Sequence, residues 1–423
     1  MTSREYLFSL EQFGIKLGLE QIRALLRELG QPELAYPCLV IAGTNGKGSV
    51  TAMAERALRA AGYRTGRYTS PHLVHVEERI AIDGTPIDPA GPHGFDALAD
   101  AVRRAAAALP APPTFFEATT ALALEAFRRA RVDVAVLEVG LGGRLDATNV
   151  LTSAAVAITA IDLDHEMYLG SAIDTIAREK AGVIKPHGLC VLGRNGDAAR
   201  RVVAEACRAA AAELIYAPDG VTTGVVMDRG LTRLSVATAQ AAYGEVTLGL
   251  RGRHQIDNAI TAVRLLEAAP ARCGLRVGAD AILSGLRDVE WPGRLELGRH
   301  RRGDVLIDGA HNPAGARALA AYIHETYGRR VPIVLGVMRD KSIDGIVEAL
   351  ADCASTFVCT SPASPRAAAP SDLAAIVRRC APAVPVSAAP TPRAALDEAL
   401  RDGGPAVVAG SLYLAGEIRA ELS

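Results

Sequence analysis

No sign of charge dominates this chain. Its 423 residues carry 46 Lys and Arg against 47 Asp and Glu, a formal net charge of −1. A near-neutral surface offers no global field for nucleic acid or an anionic membrane, so neither is an expected partner. No apolar run reaches the about 20 residues that cross a bilayer. The opening Met1-Thr2-Ser3-Arg4-Glu5 lacks the apolar stretch of a secretory signal. The seven cysteines, at 38, 190, 207, 273, 353, 359 and 380, include no C-x-x-C. That scatter argues against a zinc site or a disulfide framework and fits reduced thiols used as small core residues. A cytoplasmic protein is therefore expected. No repeat recurs at a fixed period.

What is present starts with Gly43-Thr44-Asn45-Gly46-Lys47-Gly48-Ser49. The apolar run Cys38–Ala42 precedes it and an Ala-rich helical stretch, Val50–Ala61, follows. Glycines let backbone N–H groups turn inward, a helix N-terminus adds positive potential, and a lysine supplies a full charge. This is a cradle for phosphates. The usual G-x-x-x-x-G-K-[ST] spacing would need Gly at 41 and Ser or Thr at 48; the chain has Ile41 and Gly48. A plain glycine turn with an exposed lysine is the competing reading.

Apolar runs then alternate with helical stretches. The runs are 132–139, 155–161, 189–192, 305–307, 332–337, 357–360 and 406–410. The helical stretches are 117–131, 172–182, 198–212, 256–268 and 313–327. Alternation of this kind predicts an α/β fold with a doubly wound, mostly parallel sheet. Residues 220–250 carry short runs between turns and predict a small antiparallel patch. Trp291-Pro292-Gly293-Arg294 holds the only Trp and breaks the pattern. A boundary is placed near 290–296, giving domains at 1–290 and 296–423; an apolar fraction of 49 % is ample for two cores.

Several polar residues fall at strand ends, where ligands bind in open α/β sheets. Glu138 ends the run Val132–Leu137; it is either a strand cap or a Mg²⁺ ligand. Gly140-Leu141-Gly142-Gly143 lets backbone approach a ligand, with Arg144 and Asp146 beside it. Asp164-His165 follows the 155–161 run; His165 could bind a metal, act as a base, or be an ordinary polar residue. Arg178-Glu179-Lys180 reads as a solvated helix face. A lysine aimed at a metal would need neutralising, for instance as a carbamate, which requires a pKa below about 10.4. Asp308, His311 and Asn312 end the 305–307 run, with Pro313 as a first helical residue.

In order, these motifs resemble one family over nearly the whole chain: folylpolyglutamate and dihydrofolate synthases, within the Mur-type ATP-dependent amide ligases. The resemblance rests on Gly14–Leu29 (similar to the family's leader helix), the 43–49 loop, Thr69-Ser70-Pro71-His72-Leu73, 138–149, Asp164-His165, Glu179–Gly182, Gly252–Gln255 with Asn258, Trp291–Arg294, Asp308–Asn312 and Gly410–Tyr413. It implies a P-loop ATPase domain followed by a smaller Rossmann-like ligase domain. It implies ATP and Mg²⁺ as cofactors, with Gly43, Thr44, Asn45, Gly46, Lys47, Gly48 and Ser49 on the phosphates. Asn258, Arg294, Asp308 and His311 would contact the nucleotide across the domain gap. Ser49 and Glu138 would hold one Mg²⁺; Ser70, Glu138 and His165 would hold a second. Lys180 matches a position that is carbamylated in the family. Lys47, Lys180, His165 and Glu138 are the expected catalytic set.

The reaction implied joins L-glutamate to a carboxylate through an acyl phosphate. Asp146, with Ala147, Thr114 and Phe116, matches pterin-site positions of members that also make dihydrofolate. The expected substrates are dihydropteroate, reduced folates and L-glutamate, handled by a bifunctional monomer. The alternatives are a folylpolyglutamate synthase alone, a Mur-type ligase on another carboxylate, or a partner-moving ATPase. The chain departs from the family where Asp340-Lys341-Ser342 replaces Asp-Lys-Asp, and no glutamate-binding residue is assigned.

Overall fold

The computed structural model describes residues 2–14 and 16–422. Ile15, part of the leader stretch, lies outside the described residues. The first sheet holds β1 (Cys38–Ala42), β2 (Thr65–Tyr68), β3 (Ile80–Ile82), β4 (Thr85–Pro86), β5 (Val134–Glu138), β6 (Ala155–Ile158), β7 (Leu189–Leu192) and β8 (Glu213–Tyr216), in the order β4-β3-β2-β5-β1-β6-β7-β8. β2, β5, β1, β6, β7 and β8 pair in parallel; β3 and β4 form an antiparallel edge. β1 and β5 are buried end to end, as uninterrupted apolar runs require of central parallel strands.

Helices cover both faces. Lys47–Ala60 and His254–Arg272 pack Val50, Met53, Leu58, Val263 and Leu266 against one face. Phe95–Ala106 and Phe115–Ala130 pack Phe95, Leu98, Leu122 and Phe127 against the other. The small antiparallel sheet is present as β9 (Thr222–Asp228), β10 (Leu231–Ala237) and β11 (Ala242–Thr247), ordered β11-β10-β9. β10 alternates exposed and buried residues and sets Leu234 and Val236 into the first domain's core.

The third sheet comprises β12 (Glu296–His300), β13 (Gly303–Ile307), β14 (Val331–Leu335), β15 (Ala354–Cys359), β16 (Val386–Ala388) and β17 (Ala406–Ala409), ordered β12-β13-β17-β14-β15-β16. Only β12 runs antiparallel to its neighbour. Helices again cover both faces. We propose the division at 290–296 because this sheet starts at Glu296 and packs its own cores. All seven cysteines are free, five of them buried.

Boundaries differ from expectation in places with a physical cause. The leader stretch is helical only from Glu20 to Glu28. The phosphate-loop helix starts at Lys47, three residues before Val50, because left-handed Gly46 (φ 90°) ends the loop there. Gly48 therefore lies inside the helix, a place glycine disfavours. Its reason is tertiary: a Cβ at 48 would stand 2.7 Å from Trp291 Nε1.

Candidate active site

The phosphate loop leaves the carboxyl end of β1 and is held by its neighbours. Thr44 N donates to Ala160 O at 2.8 Å, and Thr44 Oγ1 donates to Asp162 O at 3.0 Å. Gly43 (φ 140°) has no room for a side chain, since a Cβ would come 1.9 Å from Thr159 Oγ1. Lys47 Nζ folds back to Thr44 O at 3.1 Å. Ser49 Oγ accepts from Gln255 Nε2 at 3.2 Å, and Asn258 Nδ2 donates to Gln255 Oε1 at 2.9 Å. The helix His254–Arg272 thus backs the loop.

One cavity of about 280 Å³ brings together every residue expected to serve ATP or catalysis: Gly43 through Ser49, Ser70, Glu138, His165, Lys180, Asn258, Arg294, Asp308 and His311. The two sheets supply opposite walls. Asp308 is partly spent on structure, with its carboxylate accepting from Leu295 N and Ala310 N, both at 2.9 Å.

Glu138 is buried, and its carboxylate accepts one hydrogen bond, from Ser70 N at 3.3 Å. Burial raises its pKa, against the pull of Lys47. A buried carboxylate this short of partners, with the hydroxyls of Ser49 and Ser70 lining the same cavity, is an oxygen donor set that fits Mg²⁺. Among the described residues no three His, Cys, Asp or Glu gather into a conventional metal cluster.

Lys180 corrects the local reading of its helix. Arg178 is exposed and Glu179 half-buried, with Glu179 paired to Arg144 at 2.8 Å, but Lys180 turns inward beside Ile176 and Ala177. Its Nζ donates to Gly43 O at 2.7 Å, and burial beside Lys47 pushes its pKa down to about 7. Position i+4 from Ile176 was the signal: it places Lys180 on the apolar face.

Asp164 and Lys341, named in the sequence only as parts of motifs and given no role there, meet at the site. Lys341 Nζ, from the second domain, donates to Asp164 Oδ1 at 2.6 Å, with both side chains only 8 % exposed. Asn312 Nδ2 donates to Asp164 Oδ2 at 3.2 Å, and His311 Nε2 stands 3.5 Å from the same oxygen. Burial alone would raise Asp164, but His311 and Lys341 hold it well below the usual carboxylate range. His165 lies beside this pair, its pKa pushed down to about 4 by burial and Lys341. Asn45 and Asn312 exchange amide hydrogen bonds across the same gap at 3.0 and 3.3 Å.

A second cavity, about 300 Å³, holds the four pterin-site candidates Thr114, Phe116, Asp146 and Ala147. It shares Ser70, His165 and His311 with the nucleotide cavity. Phe116 packs on Gly140, where a Cβ would come 2.5 Å from the ring. Thr114 and Asp146 also have structural work. Thr114 is the N-cap of Phe115–Ala130, in a capping box with Glu117. Asp146 Oδ1 accepts from Thr148 N at 3.0 Å and from Thr148 Oγ1, while Oδ2 accepts from Leu141 N at 2.8 Å.

Residues 41–266 match the Mur ligase middle domain, and residues 293–412 match the Mur ligase glutamate ligase domain. A *Mycobacterium tuberculosis* protein named dihydrofolate synthase/folylpolyglutamate synthase is 41 % identical over 367 residues, covering 83 % of this chain and 75 % of that protein. The chain belongs to the dihydrofolate synthase/folylpolyglutamate synthase family of Mur ligases. Within this family, the structure of *M. tuberculosis* folylpolyglutamate synthase complexed with ADP superposes with a TM-score of 0.90 at 36 % identity, covering 100 % of this chain and 99 % of that one. *E. coli* FolC in complex with DHPP and ADP superposes with a TM-score of 0.86 at 29 % identity, covering 100 % and 97 %. Against two archaeal relatives the chain spans about half their length.

Proposed function

We propose that this chain is a bifunctional dihydrofolate synthase/folylpolyglutamate synthase, an ATP-dependent ligase that joins L-glutamate to dihydropteroate and to reduced folates. The observation that carries the reading is the shared wall. Ser70, His165 and His311 line both the phosphate-loop cavity and the cavity of Thr114, Phe116 and Asp146. An acceptor whose pterin lies in the second cavity presents its carboxylate to the γ-phosphate in the first.

The phosphate-loop amides and Lys47 hold the β- and γ-phosphates, and the acceptor carboxylate attacks the γ-phosphorus as ADP leaves. Lys47 stabilises the charge spread over the transferred group. The free α-amine of glutamate then forms the C–N bond while the C–O bond to phosphate breaks. Phosphate departs with the electron pair and takes up the amine's surplus proton. Ser49 with Glu138, and Ser70 with Glu138 and His165, would hold Mg²⁺, which supplies further charge neutralisation when bound. Asn258, Arg294, Asp308 and His311 orient the nucleotide, and Asp146 meets the amino-pyrimidine edge of the pterin while Phe116 stacks on it. The chain acts as a cytoplasmic monomer on small molecules.

The test is ADP formation with Mg-ATP and glutamate, comparing 7,8-dihydropteroate, tetrahydrofolate and no acceptor. Turnover with both acceptors supports the bifunctional reading. Turnover with tetrahydrofolate alone reduces it to a folylpolyglutamate synthase, and acceptor-independent hydrolysis refutes it.

A further inference from the structure

A third cavity, about 890 Å³, meets the nucleotide cavity along Gly48, Ser70, Glu138 and Arg294. Its far end is lined by exposed His75, Pro86, Asp88 and Pro89, so it connects the phosphate end of the active site with solvent. Beyond that shared edge, no residue given a role in the ligase reaction lines this space.

Its charge is distributed unevenly. The carboxylates of Glu77 and Asp96 are paired with Arg4, and Glu78 accepts backbone N–H groups of Leu73, Val74 and His75. Two guanidinium groups keep their hydrogen-bonding capacity free. Among the described residues Arg294 forms neither a hydrogen bond nor an ion pair. Arg67 forms no hydrogen bond: Glu55 stands 3.6 Å away, and its Nε is buried without a partner. The Arg67 guanidinium lies 5.1 Å over the ring of Trp291, a cation–π contact. Burial and the nearby Arg59 work against its charge more than Glu55 supports it, so a second anion would offset the remaining cost.

Planar guanidinium groups match the oxygens of phosphate. We propose that this cavity is the exit for inorganic phosphate, with Arg67 and Arg294 as its oxyanion contacts. The inference rests on the ligase reading, which releases one phosphate per amide bond beside Glu138 and Arg294. A glutamate carboxylate offers similar chemistry, so the two anions are tested separately.

Trp291 is the only Trp in the chain and lines this cavity beside Gly48 of the phosphate loop, so its emission reports anions at either place and the variants tell them apart. Inorganic phosphate, and separately L-glutamate, are titrated into the free protein. The expected result is a saturable change with phosphate, retained in Lys47→Ala and weakened at least tenfold in Arg67→Met/Glu55→Gln. The paired substitution avoids leaving the Glu55 carboxylate buried without Arg67. Arg67→Lys, which keeps the charge and loses the planar fork, is expected to weaken binding several-fold and covers the case in which the double variant does not fold. A flat phosphate titration overturns the proposal, as does preferential response to glutamate. So does a signal that disappears in Lys47→Ala and survives in the Arg67 variants, because phosphate then sits only on the nucleotide loop. The titration involves no turnover, so the two readings fail separately: phosphate binding by a protein that forms no ADP with any acceptor in the ligase assay would keep the anion site and refute the ligase reading.

Discussion

Among the described residues Lys180 has no carboxylate in ion-pair range, and its buried amine is held by one carbonyl dipole, 2.7 Å from Gly43 O. With its pKa near 7, the amine is charged below that pH and neutral above it. Only the neutral amine can add CO₂. A ¹³C-carbamate signal is therefore expected to grow as pH rises from 6 to 8 and to be absent in Lys180→Ala. That variant should lose roughly 100-fold in activity, the scale of losing one group that stabilises transition-state charge, with partial rescue by acetate. A pH-independent signal would contradict the assignment. Asp146 carries two duties. Asp146→Ala should cost about 1 kcal/mol through the lost cap and should impair dihydropteroate use more than tetrahydrofolate use. Asp146→Asn keeps an acceptor for Thr148 N and removes the charge, giving up only the bond from Leu141 N, so it should lose dihydropteroate use with a melting temperature no lower than that of the alanine variant. Equal losses on both acceptors would remove the pterin role. The charge pattern around Lys180 was visible in sequence, but its direction depended on which face the sheet covers.

Among the elements, a local cap made the helix Pro313–Tyr327 readable to the residue, the stretch expected at 117–131 begins two residues earlier at Phe115, and a start set by a distant partner was not readable. The helix Pro313–Tyr327 occupies the residues expected, because Asn312 caps Gly315 N at 2.8 Å and left-handed Gly328 ends it. The helix Lys47–Ala60 begins earlier than its composition suggests, because the reason for Gly48 is Trp291, 243 positions away and beyond any local pattern. β11 likewise ends at Thr247 where apolar content continues to Leu250; Leu248 and Leu250 are buried as loop residues on the core. The helix Phe115–Ala130 starts at its Thr114–Glu117 capping box. Thr114→Ala removes that cap beside the pterin cavity and should cost about 1 kcal/mol, read as a lowered melting temperature. Thr114→Ser should restore it, and an unchanged melting temperature in the alanine variant would show that the cap contributes nothing.

For the whole molecule, the question is what holds the two sheets face to face. Sequence placed both carboxyl edges at a cleft, but the most buried ion pair across it joins residues 177 apart, Asp164 and Lys341, beside the Asn45–Asn312 and Asn312–Asp164 bonds. Replacing one member of a buried pair leaves the other charge uncompensated, at about 3–5 kcal/mol. Asp164→Asn should therefore separate the domains, giving a larger radius of gyration in X-ray scattering; an unchanged radius would show that the pair does not set closure. Closure in turn matters because it forms the wall shared by the nucleotide and pterin cavities. In the proposed reaction an acceptor carboxylate is phosphorylated across that wall. Dihydropteroate labelled with ¹⁸O in its carboxylate tests this directly. Mass analysis of the phosphate released with Mg-ATP and glutamate should show one ¹⁸O transferred per dihydrofolate formed. Unlabelled phosphate would mean that water, not the carboxylate, takes the γ-phosphoryl group, and would contradict the account.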